Sequence, residues 1–300
     1  MQRLASELPG VTVPFETHFF SKGLATIARH GRFPLDREVL HAALTDYCAL
    51  PALRGSGLRP DTIIERCGGT AATPLALFDA VVDAASGPAS TLGEKTPGHL
   101  NWVVRLAELR PELRVVGVVR DPRAVAASLN ETPWGRAPIE LQARRWLDAH
   151  TEMARIADRL GDRAIVVRYE DVVGAPDAAR SAIGELLEVR PGGTEAVAAP
   201  LALDWEHWKA GVERPVTDDR VDRWRETLDD WDAAKLGAIC EPVLARFGYT
   251  DAVPRAGRRA AARLSTAVRP NRRRRQEGRL AALHREVEQA DLGNMPNVVD

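Results

Sequence analysis

Cysteine, lysine and long apolar runs are all scarce in this 300-residue chain, and each scarcity closes a class of function. Cysteine occurs only at Cys48, Cys67 and Cys240. An odd number, widely spaced, with no CxxC and no histidine at ligand spacing, supports neither a disulfide framework nor a zinc site. A reducing, cytoplasmic setting is the expectation. No apolar stretch reaches the roughly eighteen residues of a membrane span. The amino terminus has no basic segment leading into an apolar run, so export is not expected either. Lysine is limited to Lys22, Lys95, Lys209 and Lys235 against thirty-seven arginines. With the high alanine content this is the mark of GC-rich coding, and a lysine kept against that bias is informative.

What is present suits an enzyme. An apolar content of 45% over this length can bury the core of one α/β domain. The net charge of −1 hides an asymmetry: Pro254 to Arg285 holds eleven arginines and one glutamate, a local charge of +10, so the remainder carries −11. Residues 1–253 are therefore expected to form the folded domain and 254–300 an Arg-rich, partly helical or disordered tail. No aromatic residue lies between Pro254 and Asp300, so base stacking is unsupported and no specific nucleic acid is expected. Weak, salt-dependent contact of the tail with polyanions or a membrane surface is expected at most.

Strand and helix patterns alternate along the chain, which predicts a parallel sheet covered by helices on both faces. Strands are expected at Val11 to Val13, Thr91 to Gly93, Leu113 to Val119 and Ala164 to Arg168. Trp102, Leu106 and Leu109 recur at helical spacing, as do Trp146, Ala149, Met153, Ile156 and Leu160, and both stripes read as core. Further helices are expected at Asp36 to Ala49, Thr70 to Ala85, Asp218 to Leu228 and Asp232 to Phe247. The Gly/Pro-bearing stretch from Arg54 to Pro60 separates the first two, and Gly248 stops the last.

The most informative segment is Val115-Val116-Gly117-Val118-Val119-Arg120-Asp121-Pro122, continuing to Ser128 and Leu129. An apolar β-branched run breaks into a charged turn and then a helix, placing Arg120 at a strand's carboxyl end and Ser128 on the following helix. Open α/β sheets bind ligands at such ends, and a fixed guanidinium with a helix hydroxyl can grip an anion. Pro14-Phe15-Glu16-Thr17-His18-Phe19-Phe20 likewise puts a carboxylate at a strand end among aromatics. Desolvation there would raise its pKa toward that of a useful general base.

Together with Gly93-Glu94-Lys95-Thr96-Pro97 and Arg168-Tyr169-Glu170-Asp171-Val172, these segments resemble the sulfotransferases that use 3'-phosphoadenosine 5'-phosphosulfate (PAPS). The resemblance runs from about Met1 to Tyr249 and implies an α/β fold of the P-loop type. It implies that Arg120 and Ser128 hold the 3'-phosphate of PAPS and that Tyr169 meets the adenine side. Glu16-x-His18-Phe19-Phe20 resembles an element of carbohydrate sulfotransferases, which implies Glu16 as catalytic base, His18 on the acceptor side and a carbohydrate or small-metabolite hydroxyl as acceptor. Lys95 matches the lysine that meets the sulfuryl group. Pro97 stands where the cytosolic steroid and phenol sulfotransferases have their catalytic histidine, leaving His99 as a secondary candidate base. Val221-Asp222-Arg223-Trp224, after Arg214-Pro215-Val216, resembles the carboxyl-terminal element of tyrosylprotein sulfotransferases and implies a phosphate contact for Arg223. Lys209 in His207-Trp208-Lys209 is a further phosphate or acceptor candidate. Sulfuryl transfer spreads less negative charge than phosphoryl transfer, so Lys and Arg can replace a metal, and none is expected.

One element of the family has no counterpart. Before Glu16 there is no strand followed by a Gly-x-x-Arg-Ser-Gly-Thr loop whose backbone NH groups would cradle the 5'-phosphosulfate. Met1 to Gly10 resembles the helix that follows that loop. The expectation is a chain without the family's opening unit, either through a late start codon or through degeneration. A non-catalytic protein that retains 3'-phosphoadenosine binding is the alternative to an active sulfotransferase.

Overall fold

The computed structural model describes residues 1–132, 135–189, 200–206, 209 and 216–254. They fall into two compact units, one built on residues 2–99 with 200–206 and 209, the other on residues 100–132, 135–189 and 216–254. The Arg-rich tail beyond Pro254, and with it His207, Trp208, Arg214 and Pro215, lies outside the described residues.

The first unit contains α1 (Gln2–Ser6), β1 (Val11–Thr12), α2 (Leu24–Ile27), α3 (Arg37–Cys48), α4 (Pro60–Arg66), α5 (Pro74–Ser86) and β2 (Thr91–Leu92). β1 and β2 pair in parallel, Val11 opposite Thr91 and Thr12 opposite Leu92. Local chemistry sets the helix starts. Asp36 accepts a hydrogen bond from the Val39 NH at 3.0 Å, and Thr73 accepts one from the Ala76 NH at 3.1 Å, with Pro74 in the first turn. The helix expected from Thr70 starts later because Ala71 first pairs with Leu35 in an antiparallel bridge. Helix α4 is an addition to the sequence reading: Pro60, taken there as part of a separator, is the opening residue of a helix. The unit's core is aromatic. Phe19, Phe20 and Phe78 pack on one another and Tyr47 packs on Phe19, with centroids 4.8 to 6.1 Å apart. A Cβ on Gly23 would stand 2.5 Å from the Tyr47 ring, so only glycine lets α2 approach it.

The second unit contains α6 (Val103–Leu109), β3 (Val115–Val119), α7 (Pro122–Asn130), α8 (Ile139–Leu160), β4 (Ala164–Arg168), α9 (Tyr169–Gly174), α10 (Pro176–Leu186), α11 (Trp224–Thr227) and α12 (Asp230–Leu244). β3 and β4 are parallel over five residues, from Val115 opposite Ala164 to Val119 opposite Arg168. The parallel strands among helices fit the expected α/β class. Among the described residues, the strands join two by two, β1 with β2 and β3 with β4. α8 crosses close to β3, where a Cβ on Gly117 would meet the Met153 sulfur at 3.0 Å. Val119, Ala126, Ala143, Trp146, Leu236, Cys240, Leu244 and Tyr249 share one buried cluster.

Only Trp224–Thr227 of the expected 218–228 helix is helical. The Arg220 carbonyl is taken at 2.6 Å by the Arg120 guanidinium, so a side chain captures a backbone group that a helix would need. α12 ends as expected. Gly248 adopts φ 76°, and the Tyr249 NH returns to the Leu244 carbonyl at 3.0 Å. No described helix is long and apolar enough to cross a membrane.

Candidate active site

Both units carry a charged cluster at the positions the sequence singles out. In the first unit the chain leaves β1 and reaches Glu16, while the segment after β2 brings Lys95 to it. The Lys95 ammonium donates to Glu16 Oε1 at 2.5 Å, and Lys209 donates to the same oxygen at 2.9 Å. Glu16 Oε2 lies 3.6 Å from His18 Nε2, beyond hydrogen-bond distance. Lys209 is also pinned at 2.6 Å by Glu206, which in turn accepts from the Leu203 NH at 2.9 Å. Glu16, His18, Lys95 and Lys209, all candidates from the sequence, therefore meet in one place. Glu206 is an addition that sequence reasoning did not flag. It stands three residues before Lys209 in the sequence, with no motif around it to mark it out.

The structure corrects the expected state of Glu16. Burial pushes its carboxyl up, as anticipated, but the Lys95 and Lys209 ammoniums outweigh this and leave it below the ordinary carboxylate value. Glu16 is thus ionised at neutral pH and, while both lysines hold it, a weaker base than an unpaired carboxylate. Its two lysines are not equivalent: the Lys95 side chain is 40% exposed and Lys209 18%, so Lys95 is the one free to move. Burial, and the nearby Lys22, hold His18 below the usual imidazole value despite the pull of Glu16. His18 also sits at φ 52°, in the left-handed region. For a non-glycine residue this costs on the order of 1 to 2 kcal/mol and is found where the surroundings over-determine it. Here its carbonyl accepts from the NH groups of both Lys22 and Gly23, at 2.9 and 3.0 Å, and its own NH is held by Thr96 Oγ1 at 3.1 Å.

Behind Glu16 stands a second buried carboxylate. Glu94 accepts from the Thr17 hydroxyl at 2.8 Å, the Thr96 hydroxyl at 2.6 Å, the Thr96 NH at 3.1 Å and His99 Nδ1 at 2.7 Å. Burial raises its pKa, but these donors outweigh it and the net shift is downward. His99 Nε2 accepts the Phe20 NH at 3.0 Å. Both ring nitrogens of His99 are therefore engaged, and the residue is 5% exposed. That removes His99 as a candidate base: its free lone pair is already taken. Thr17, Glu94, Thr96 and His99 form a brace that fixes the Glu16 segment against the Lys95 segment. The signal was present in Glu94, an acidic residue inside the Gly93-Glu94-Lys95-Thr96-Pro97 motif.

The second unit holds an arginine corner at the end of β3. Arg120, Ala124, Ala127, Ser128, Glu131, Arg220, Arg223 and Trp224 line a shallow pocket. Side chains hold the backbone there on both sides of the turn: the Arg120 carbonyl accepts from Trp146 Nε1 at 2.9 Å, and the Asp121 NH donates to Glu170 at 3.1 Å. The Arg120 guanidinium lies over the Tyr169 ring, 4.2 Å from its centroid. Its Nε is buried without a hydrogen-bond partner. An orphaned buried donor among three guanidiniums and a serine hydroxyl is the donor set of an oxyanion site. Arg120, Ser128, Tyr169 and Arg223 are brought together as the sequence implied, with Arg220 and Glu131 as additions. Asp121 caps α7 and binds Arg123, which stacks on Trp224 at 4.1 Å, so Arg123 is structural.

A comparison with known protein families matches residues 1–191 to the sulfotransferase family. The chain belongs to that family. Sulfuryl transfer is accordingly the general chemistry of its family. Among solved structures, the sulfotransferase is similar to the sulfotransferase domain from the curacin biosynthetic pathway, with 16% identity, coverage of 82% of this chain and 99% of that one, and a TM-score of 0.44. No curated protein sequence matches it. Among the described residues there is no group of three His, Cys, Asp or Glu placed to hold a metal ion.

Proposed function

We propose that this sulfotransferase moves a sulfuryl group from PAPS to a hydroxyl of a carbohydrate or small metabolite. The observation that carries the donor assignment is the arginine corner, where Arg120 Nε is buried without a partner beside Ser128, Arg220 and Arg223. Such a donor set suits the 3'-phosphate of PAPS, with Arg120 and Ser128 contacting it directly and Arg223 and Arg220 adding charge. Tyr169, under the Arg120 guanidinium, is the residue for the adenine side. When bound, PAPS supplies an activated sulfuryl group on a phosphosulfate.

The first unit's cluster supplies the rest. Glu16, ionised at neutral pH, accepts the acceptor's hydroxyl proton at Oε2, the oxygen its lysines leave uncovered. Lys95 moves its positive charge from Glu16 Oε1 toward the charge that develops in transfer. As it leaves, Glu16 loses one stabilising cation and becomes the stronger base that proton removal requires. Lys209, held by Glu206, stays and keeps the carboxylate in place. His18 presents a neutral imidazole to the acceptor side. Loose, charge-spreading transfer asks mainly for positioning and electrostatics, which Lys and Arg can provide.

The test is a titration with adenosine 3',5'-bisphosphate against adenosine 5'-phosphate, followed by a PAPS turnover assay with sugar and small-metabolite acceptors. Preference for the bisphosphate with turnover supports the proposal. Preference without turnover identifies the non-catalytic, nucleotide-binding alternative. Equal binding of both nucleotides rules out the 3'-phosphate assignment.

A further inference from the structure

The arginine corner already contains an anion. Glu131 follows α7 and is its C-terminal cap, one turn beyond Ser128. Its Oε1 lies 3.0 Å from Arg223 Nη2, its Oε2 3.3 Å from Arg223 Nη1 and 4.0 Å from Arg220 Nη1. The first two contacts are the parallel fork by which a guanidinium holds a carboxylate or a phosphate. The carboxylate thus uses the same donors that a phosphate in the pocket would need. A helix carboxyl end is an unfavourable place for a negative charge, because the last carbonyls are left unpaired there. Helix stability therefore does not explain an acid at this position, whereas the arginines do.

We propose that Glu131 is a resident counter-anion of the corner, displaced when a phosphate binds, so that only a ligand with more charge than a carboxylate takes the site. Three guanidiniums and one carboxylate leave the pocket lining at +2, which matches a phosphate dianion. Glu131 is 37% exposed and Arg223 44%, so the pair is wet and can be exchanged without burying a bare charge. Arg120 lies apart from this pairing. Its Nε keeps no protein partner while Glu131 occupies Arg223.

The inference rests on the corner being the 3'-phosphate site, and the experiment separates the two ideas. Calorimetric titration at about 50 mM salt compares the wild-type chain with Glu131→Gln and Glu131→Ala, using adenosine 3',5'-bisphosphate and, as control, adenosine 5'-phosphate. Removing a competing charge at this range and exposure should tighten bisphosphate binding about three- to tenfold in both variants. Binding of adenosine 5'-phosphate should change less than about twofold. Bisphosphate binding by the variants alone would also support the inference. Unchanged bisphosphate affinity in both variants would overturn it, with the site assignment intact. Weaker binding would overturn it too, by showing that Glu131 orients Arg223 for the ligand. If neither wild type nor variant prefers the bisphosphate, the site assignment falls and the inference with it.

Discussion

The two charged clusters are built from the same groups, carboxylates set against Lys or Arg, and they differ in how far water reaches them. In the first unit the carboxylate side chains of Glu16 and Glu94 are 13% and 11% exposed, and each is wrapped by several donors. In the second unit Glu131 and Arg223 are more than a third exposed and share one fork. Buried, multiply bonded charges fix geometry, because breaking one leaves an uncompensated ion. Wet pairs exchange partners at little cost. Under the proposed function the difference divides the tasks: the first cluster would hold reacting groups in place, and the second would accept and release a charged ligand.

If that division is right, the largest effects belong to the first unit. Glu16→Gln should lower transfer by about 10^2 to 10^4 through loss of the base, while adenosine 3',5'-bisphosphate affinity stays within a few fold. Turnover and calorimetry on one preparation check this, and a comparable loss of binding would erase the distinction between clusters. His99→Leu attacks the brace and not the chemistry. It strips Glu94 of one partner and leaves the Phe20 NH unpaired, which should cost about 3 to 5 kcal/mol in denaturant unfolding. A loss below about 1 kcal/mol would mean that water replaces the imidazole and that the cluster is less closed than its burial indicates.

Effects in the second unit should be smaller and should appear in affinity. Ser128→Ala and Arg223→Ala are each expected to weaken bisphosphate binding by about 1.5 to 3 kcal/mol and to leave folding nearly unchanged. Arg120→Ala is a less clean probe, since Arg120 also stacks on Tyr169 and holds the Arg220 carbonyl. A variant at Ser128 or Arg223 that melts well below wild type would show the corner to be structural.

How much of this could be read from sequence depends on whether the cause was local. β3 and β4 were legible because Val115–Val119 and Ala164–Arg168 are short stretches dominated by Val and Ile. The Arg120 to Ser128 corner was legible because strand, turn and helix follow one another directly. Helix α4 was hidden because Pro60 marks both a break and a first turn. The truncated 218–228 helix was hidden because the group that unpairs it, the Arg120 guanidinium, is a hundred residues away. The same holds at the sites. Lys95 was visible as a rare lysine in a motif, but its contact with Glu16, and that of Lys209, 193 residues distant, on the same oxygen, are tertiary pairings that no local pattern announces. Likewise His99 looked available until Phe20 and Glu94 were found on its two nitrogens.

The smallest expected effect sharpens the comparison through pH. His150 in α8 stacks on Trp146 with centroids 4.0 Å apart and donates from Nδ1 to the Trp146 carbonyl at 2.7 Å. Burial drops its pKa from 6.5 to about 4. The unfolded chain therefore binds the proton more readily than the folded one, so this contribution to stability is complete above pH 6.5 and is lost as pH falls toward 4. Between pH 7.5 and 5.5 the loss should be about 1 kcal/mol. The carboxylates of the first unit behave differently. Glu16 and Glu94, both lowered, keep their contribution throughout that window and lose it only below the ordinary carboxylate range. His18, also held neutral, adds to the His150 trend, so a variant is needed to isolate it. His150→Phe keeps an aromatic ring on Trp146 and removes the titration. Urea unfolding at pH 7.5 and 5.5 should show a pH slope reduced by about 1 kcal/mol in the variant. An unchanged slope would place the acid sensitivity in the first unit's cluster and reverse the assignment of which unit is the softer to pH.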